Sequence, residues 1–150
     1  MVNESVTAIP FRLFKRVLPQ HTDHGGVMWH GGDVAWLAEA RVEALNVMDF
    51  PYQRFVAAGL DMPVVRLEIR YREALRLGDE VVLESVPHPR LGVRWPWTTR
   101  FIRAGVCVAD ATVELVLVQV QSTLKVVRHP PDEVAKVFET LTGSRKAQSK

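Results

Sequence analysis

Between Asp33 and about Met48, apolar side chains fall on almost every face of a helix. Val34, Leu37, Ala38, Leu45 and Met48 make one stripe, while Trp36, Ala40, Ala44 and Val47 make the other side apolar as well. A helix of this kind is buried by the rest of its chain, so the remaining residues must supply something that wraps around it.

What remains reads mainly as strands. Thr7 to Val17 alternates loosely, with Phe11, Leu13 and Lys15 on one side, and ends at Pro19. The connector from Asp49 to Met62 has room for one helical turn and is broken by Pro51 and Gly59. Four strands are expected after it, Val64 to Ala74, Glu80 to His88, Val93 to Arg103 and Val106 to Val127, with "RLGD", "PRLG" and "RAG" between them at the spacing of an antiparallel meander. In the last of these, Val113, Leu115, Leu117 and Val120 cannot share a face with Val116 and Val118, which calls for cover on both sides. Pro96, between Trp95 and Trp97, removes a ladder donor and predicts a sheet edge or a bulge. A short helix from Asp132 to Leu141 precedes a polar tail.

One strand, one buried helix and four antiparallel strands describe an α+β chain, a curved five-stranded antiparallel sheet around a long central helix. A length of 150 residues with 47% hydrophobic content fits a single domain over 1–150, with 1–6 and 143–150 expected to be flexible. Such a sheet leaves edges that need cover, so a homodimer or homotetramer is expected.

The formal charge of +2 is spread along the chain, and no basic block gives a nucleic-acid footprint. The single cysteine, Cys107, excludes an internal disulfide and lies in the apolar run "GVCVADATVELVLVQV", where it reads as a small buried hydrophobe. "MVNESVTAIPFR" lacks a basic region followed by an apolar one, and no run approaches the roughly 18 apolar residues of a membrane span, so a cytoplasmic protein without membrane contact is expected.

Ionisable and small residues crowd into "HTDHGGVMWHGGD", just ahead of the helix. Asp23 fits two readings, a turn residue that caps its own loop "TDHGG" and a carboxylate that does chemistry. His21, Asp23, His24 and His30 also have the chemistry of metal ligands, though without a recognised zinc spacing. The first N–H groups of a helix lack intrahelical partners and sit at the positive end of its dipole, so a helix opening at His30, Gly31 and Gly32 could receive an oxyanion. Glycine at 31 and 32 would let a carbonyl come close to the backbone.

With these elements in order, the chain resembles the hot-dog-fold acyl-CoA thioesterases of the 4-hydroxybenzoyl-CoA thioesterase type. The resemblance rests on "TDHGGVMWHGG" and "LAEARVEAL", and extends through "RLEIRYREALRLGDEVVLES" into "VELVLVQV", from about Phe11 to Arg128. It implies that Asp23 is the catalytic carboxylate, that the backbone N–H of His30 polarises the thioester carbonyl, and that Gly26, Trp29, Gly31 and Gly32 lie against the substrate. Glu39, Arg41 and Glu43 echo family positions as architecture. The chain departs from the family at Gly32 and Asp33, where an Asn and a Tyr are common.

The implied reaction is hydrolysis of a CoA thioester to free acid and CoA, with Asp23 as nucleophile or as general base on water. No cofactor beyond coenzyme A in the substrate is called for. The family type and the four tryptophans suggest an aromatic acyl group, such as 4-hydroxybenzoyl-CoA or 1,4-dihydroxy-2-naphthoyl-CoA. Arg90, Arg94 and Arg128, with Lys125 and His129, are candidates for the CoA phosphates at a subunit boundary. The alternative is a non-catalytic acyl-CoA or acyl-carrier binding module.

Overall fold

The computed structural model describes residues 10–121 and 123–143. The expectations for 1–6, for the strand start at Thr7 to Ile9 and for 144–150 lie outside the described residues.

β1 (Phe11–Arg16) comes first. Two helices follow, α1 (His30–Val47) and α2 (Gln53–Ala57). Then come β2 (Leu60–Asp61), β3 (Val64–Tyr71), β4 (Glu80–Pro87), β5 (Arg94–Arg103) and β6 (Val106–Val116). β7 (Val118–Val120), β8 (Leu124–Val126) and α3 (Asp132–Thr142) complete the order. Five strands form one antiparallel sheet in the order β1-β4-β5-β6-β3, and β2, β7 and β8 form a second, smaller one. The expected α+β sheet around a central helix is present.

Period-two alternation explains the sheet. Val81, Leu83 and Ser85 of β4, then Trp95, Trp97, Thr99 and Phe101 of β5, are buried with Trp36, Leu37, Ala40, Ala44 and Leu45 of α1. The opposite face carries cross-strand ion pairs instead: Glu84 accepts from Arg12 at 3.0 Å and Arg100 at 3.3 Å, and Glu114 from Arg94 at 2.8 Å. Exposed pairs of this kind contribute about 0–1 kcal/mol each, so they mark the solvent face rather than hold the fold.

Four expectations change. α1 begins at His30, three residues before Asp33, with Trp29 in extended conformation (φ −96°, ψ 159°) as its N-cap. The strands do not form a four-strand meander, since β3 lies beside β6 at the far edge and residues 72–79 carry the chain past the sheet's end to β4. The long apolar run is not one strand: it leaves the main sheet at Leu117, which is fully buried, and continues in the second sheet, so both sets of apolar side chains find cover.

The fourth change concerns Pro96, which sits in β5, between β4 and β6, rather than at an edge. It accepts the His88 N–H at 2.9 Å, just past the end of β4 at Pro87. A residue's N and O point the same way in an antiparallel strand, so the missing donor faces the point where the ladder already stops. Trp95 and Trp97 do not form an exposed face. Both are buried against Phe138 of α3, with ring centroids 4.7 and 6.4 Å away.

Candidate active site

The loop before α1 closes on itself. Thr22 bridges Met28, the Asp23 N–H donates to Val27 O at 2.8 Å, and the Gly26 N–H donates to Asp23 O at 3.0 Å. Gly26 takes φ 79°, which favours glycine there. Asp23 is exposed, and its Oδ1 accepts the N–H groups of Val27 at 3.1 Å and Gly25 at 2.9 Å. These two amides, aided by the neighbouring His24, hold its carboxyl below the usual carboxylate range. Asp23 therefore does cap its own loop, and it is ionised at neutral pH.

The oxyanion geometry lies at the start of α1. The Trp29 N–H goes to His21 O at 3.0 Å and the Gly32 N–H to Trp29 O at 2.9 Å, while the N–H groups of His30 and Gly31 have no acceptor among the described residues. Two adjacent donors at the positive end of a helix suit a developing negative charge.

The structure gives the two glycines a use besides the expected one. A Cβ on Gly31 would lie 2.3 Å from the Trp29 ring, and one on Gly32 would lie 2.8 Å from Met28 Cε. The chain's own side chains take up the space beside both residues. Gly31→Ala should displace the half-exposed Trp29 indole at a cost of about 1 kcal/mol. The expected readout is a changed tryptophan emission with near-native helix content; unchanged emission would mean that the ring does not rest there.

Beside this helix start is a cavity of about 390 Å³, lined by Val27, Met28, Leu75 and Ala109 on its apolar side and by His30, Asp33 and Tyr71 among its polar groups. Arg72 and Glu73 also reach it, but each is engaged elsewhere, Arg72 with Asp110 at 2.6 Å and Glu73 with Arg103 at 2.5 Å. Asp33 is only 2% exposed, and its Oδ2 accepts the Tyr71 hydroxyl at 3.0 Å. Burial raises its carboxyl to about 6, against the opposing pull of the Tyr71 hydrogen bond and of His30. Burial, with the Asp33 charge beside it, pushes the Tyr71 phenol up to about 12.

Sequence reasoning had Asp33 only as a departure from a family pattern and did not find Tyr71. The available signal was an acidic residue three positions after His30 on the buried stripe of an apolar helix, since residues at that spacing share a face.

Of the residues singled out from sequence, His30 lines this cavity, and the loop bearing Asp23 supplies Val27 and Met28 to its wall. His21 is occupied elsewhere: its Nδ1 accepts the Leu18 N–H at 3.0 Å and its ring packs edge-on to Trp36. Among the described residues, no three His, Cys, Asp or Glu side chains gather as a metal site requires. Arg90 donates to the carbonyls of Gly92 and Arg128 and lies over Trp95, and Arg94 pairs with Glu114. The Arg128 side chain has no partner among the described residues. In the register of β6, Arg94 sits opposite Val116 and Tyr71 opposite Ala109, seven residues apart, which at about 3.3 Å per residue is roughly 23 Å. Within one protomer these arginines are at the far end of the sheet from the cavity.

A family model described as the thioesterase-like superfamily matches residues 17–138. A Synechocystis protein provisionally named an esterase, sll0410, is 40% identical over 99 residues, which cover 66% of this chain and 60% of that protein, so the chain spans under two thirds of that relative. The acyl-CoA thioester hydrolase YbgC of Escherichia coli is 30% identical over 94 residues, 63% of this chain and 70% of that one. Among solved structures, the DHNA-CoA thioesterase of Staphylococcus aureus superposes with a TM-score of 0.83 at 17% identity, covering 95% of this chain and 97% of that one. Slr0204 of Synechocystis, a 1,4-dihydroxy-2-naphthoyl-CoA thioesterase, gives 0.77 at 17%, covering 86% and 96%. At these identities the superpositions show the hot-dog fold. No helix among the described residues is long and apolar enough to cross a membrane.

Proposed function

The chain belongs to the thioesterase-like superfamily, and from that premise we propose that it hydrolyses an acyl-CoA thioester to a free acid and CoA. The observation that carries the reading is the pair of N–H groups at His30 and Gly31 that have no acceptor among the described residues, next to a largely apolar cavity. A thioester carbonyl placed on those donors would have its developing charge stabilised, which is commonly worth about 2.7–4 kcal/mol per donor. Asp23, seven residues before His30, supplies the carboxylate. Its lowered pKa supports direct attack on the carbonyl more than proton abstraction from water, which a carboxylate nearer neutrality does better. The departing thiol has a pKa of about 8.5 and leaves without a strong acid.

An aromatic acyl group is the finer proposal, supported by a cavity walled by Val27, Met28, Leu75 and Ala109 and within the roughly 300–1,000 Å³ of ligand pockets. The test is thiol release from a panel of aromatic and aliphatic acyl-CoAs. Fast release confined to aromatic members supports both proposals, fast release from aliphatic ones alone removes the finer one, and tight binding without release leaves a binding module.

A homo-oligomer belongs to the same proposal. One edge of β3 pairs with β6, and beside the other no strand lies among the described residues. That strand is exposed along nearly its whole length, with Val64 at 45%, Val65 at 48%, Leu67 at 40% and Tyr71 at 53%. A long open edge with exposed apolar side chains invites pairing, and a second copy related by a two-fold axis would extend the sheet antiparallel through β3. Antiparallel pairing would also turn the arginine end of one protomer toward the cavity end of the other, where Arg128, Arg90 and Arg94 could meet CoA phosphates. Sedimentation should show a dimer or tetramer for wild type and a shift to monomer for Leu67→Glu. A wild-type monomer at micromolar concentration would remove the proposal.

A further inference from the structure

The proposed reading uses one carboxylate, Asp23, on the exposed loop whose Val27 and Met28 wall the cavity; the cavity lining itself contains another, Asp33. Asp33 is buried, oriented by Tyr71, and one helical turn from the donors at His30. Oδ2 is engaged, and no group among the described residues bonds Oδ1, yet the buried side-chain atoms without partners among those residues are the indole nitrogens of Trp36 and Trp95 alone. Oδ1 therefore opens on the cavity that Asp33 lines. A carboxylate at the first turn of a helix commonly caps the backbone, but α1 has no side-chain cap and Asp33 is held by β3 instead.

We infer that Asp33 is a catalytic general base that activates water for the second half of the hydrolysis, and that Tyr71 is its positioning residue. The inference rests on the proposed thioesterase function and divides the work between the two carboxylates. Asp23, exposed and tied to its loop amides, is ionised and suited to attack. Asp33, whose environment holds its pKa close to neutrality, is suited to taking and giving a proton.

In the first half, an Asp23 carboxylate oxygen bonds to the thioester carbonyl carbon, the C–S bond breaks, and its electron pair leaves on the CoA thiolate, which takes a proton from solvent. The product is a mixed anhydride on Asp23. In the second half, Asp33 Oδ1 takes a proton from water as the water oxygen bonds to the acyl carbon. The bond from that carbon to the Asp23 oxygen then breaks, its electron pair returns to Asp23, and Asp33 releases its proton to solvent. The sum is thioester plus water giving acid plus thiol. The titratable and charged groups facing Asp33 are His30 on its own helix, Tyr71 at the end of β3, and Arg72 and Glu73 in the loop that follows; the wall residues from the Asp23 loop and from β6 are apolar.

The experiment follows CoA release by rapid mixing, with the panel member that wild type turns over fastest, for wild type, Asp33→Asn, Tyr71→Phe and Asp23→Asn. Asp33→Asn should release about one CoA per site in a burst and then turn over about 10²-fold more slowly than wild type, with an acyl adduct on the chain after acid quench. Tyr71→Phe loses the hydrogen bond that favours the charged form of Asp33, so the acid limb of its kcat profile should lie at higher pH than the wild-type limb near 6. Wild-type turnover by Asp33→Asn, or an acid limb unmoved in both Asp33→Asn and Tyr71→Phe, overturns the inference. So does a folded Asp33→Asn protein without a burst, while thiol release that still depends on Asp23 leaves the thioesterase reading standing. No release by wild type from any panel member removes that reading itself.

Discussion

Asp23→Asn will release thiol from an acyl-CoA slower than wild type by about three to four orders of magnitude, at a nearly unchanged melting temperature. The two halves of this expectation have separate causes. Asn keeps the side-chain oxygen that accepts the Gly25 and Val27 N–H groups, and it is at home in such turns, so the 22–28 loop survives the change. What is lost is the anionic oxygen. A neutral amide neither attacks a thioester nor takes a proton, and the N–H groups at His30 and Gly31 are left to bind a carbonyl without a group to attack it. Thiol release and thermal unfolding, measured on the same preparation, separate the roles. Near wild-type release by a folded Asp23→Asn protein would leave Asp23 as a turn residue only.

How much of this was legible in the sequence differs by element. The alternating strands β1, β4 and β5 were found to within a few residues, β1 even though its alternation is loose, because a period of two is a local property of the chain. The place of β3 at the far edge was not legible, since the loop after it has the length and turn residues of a hairpin and only long-range pairing tells the two topologies apart. The break at Leu117 was half legible: the need for cover on both faces could be read, but a second sheet as its source could not. Gly31 and Gly32 illustrate the commonest limit. Their residue type announced that something approaches the backbone, and it took the positions of Trp29 and Met28 to show what.

The site divides in the same way. Asp23 and His30 stand in a contiguous motif, so local reading reached them. Asp33 and Tyr71 are 38 positions apart and meet only because α1 packs beside the end of β3. No periodicity in either segment points to the other.

Asp33 also has a thermodynamic signature independent of any substrate. Burial raises its native carboxyl to about 6, against 3.8 for an aspartate in water, as in the unfolded chain. Between those values the native state holds more protons than the unfolded one, so stability falls as pH rises through the window and is flat above it with respect to this group. At 1.36 kcal/mol per unit, the loss is about 2–3 kcal/mol. Asp23, with its lowered pKa, works in the opposite direction and loses its contribution as pH falls through the acid range below 3.8. Asn at 33 is neutral at every pH and still accepts the Tyr71 hydroxyl. The variant is therefore expected to gain most over wild type at pH 7, by about 2–4 °C in melting temperature for each kcal/mol, and to lose that advantage toward pH 4. Parallel melts at fixed protein concentration, from pH 4 to 8, test this. Superimposable profiles would mean that Asp33 does not titrate in that window, and the general-base role would fall with it. A diverging pair would show a buried carboxylate kept at the expense of stability, as expected where a charge serves chemistry rather than the fold.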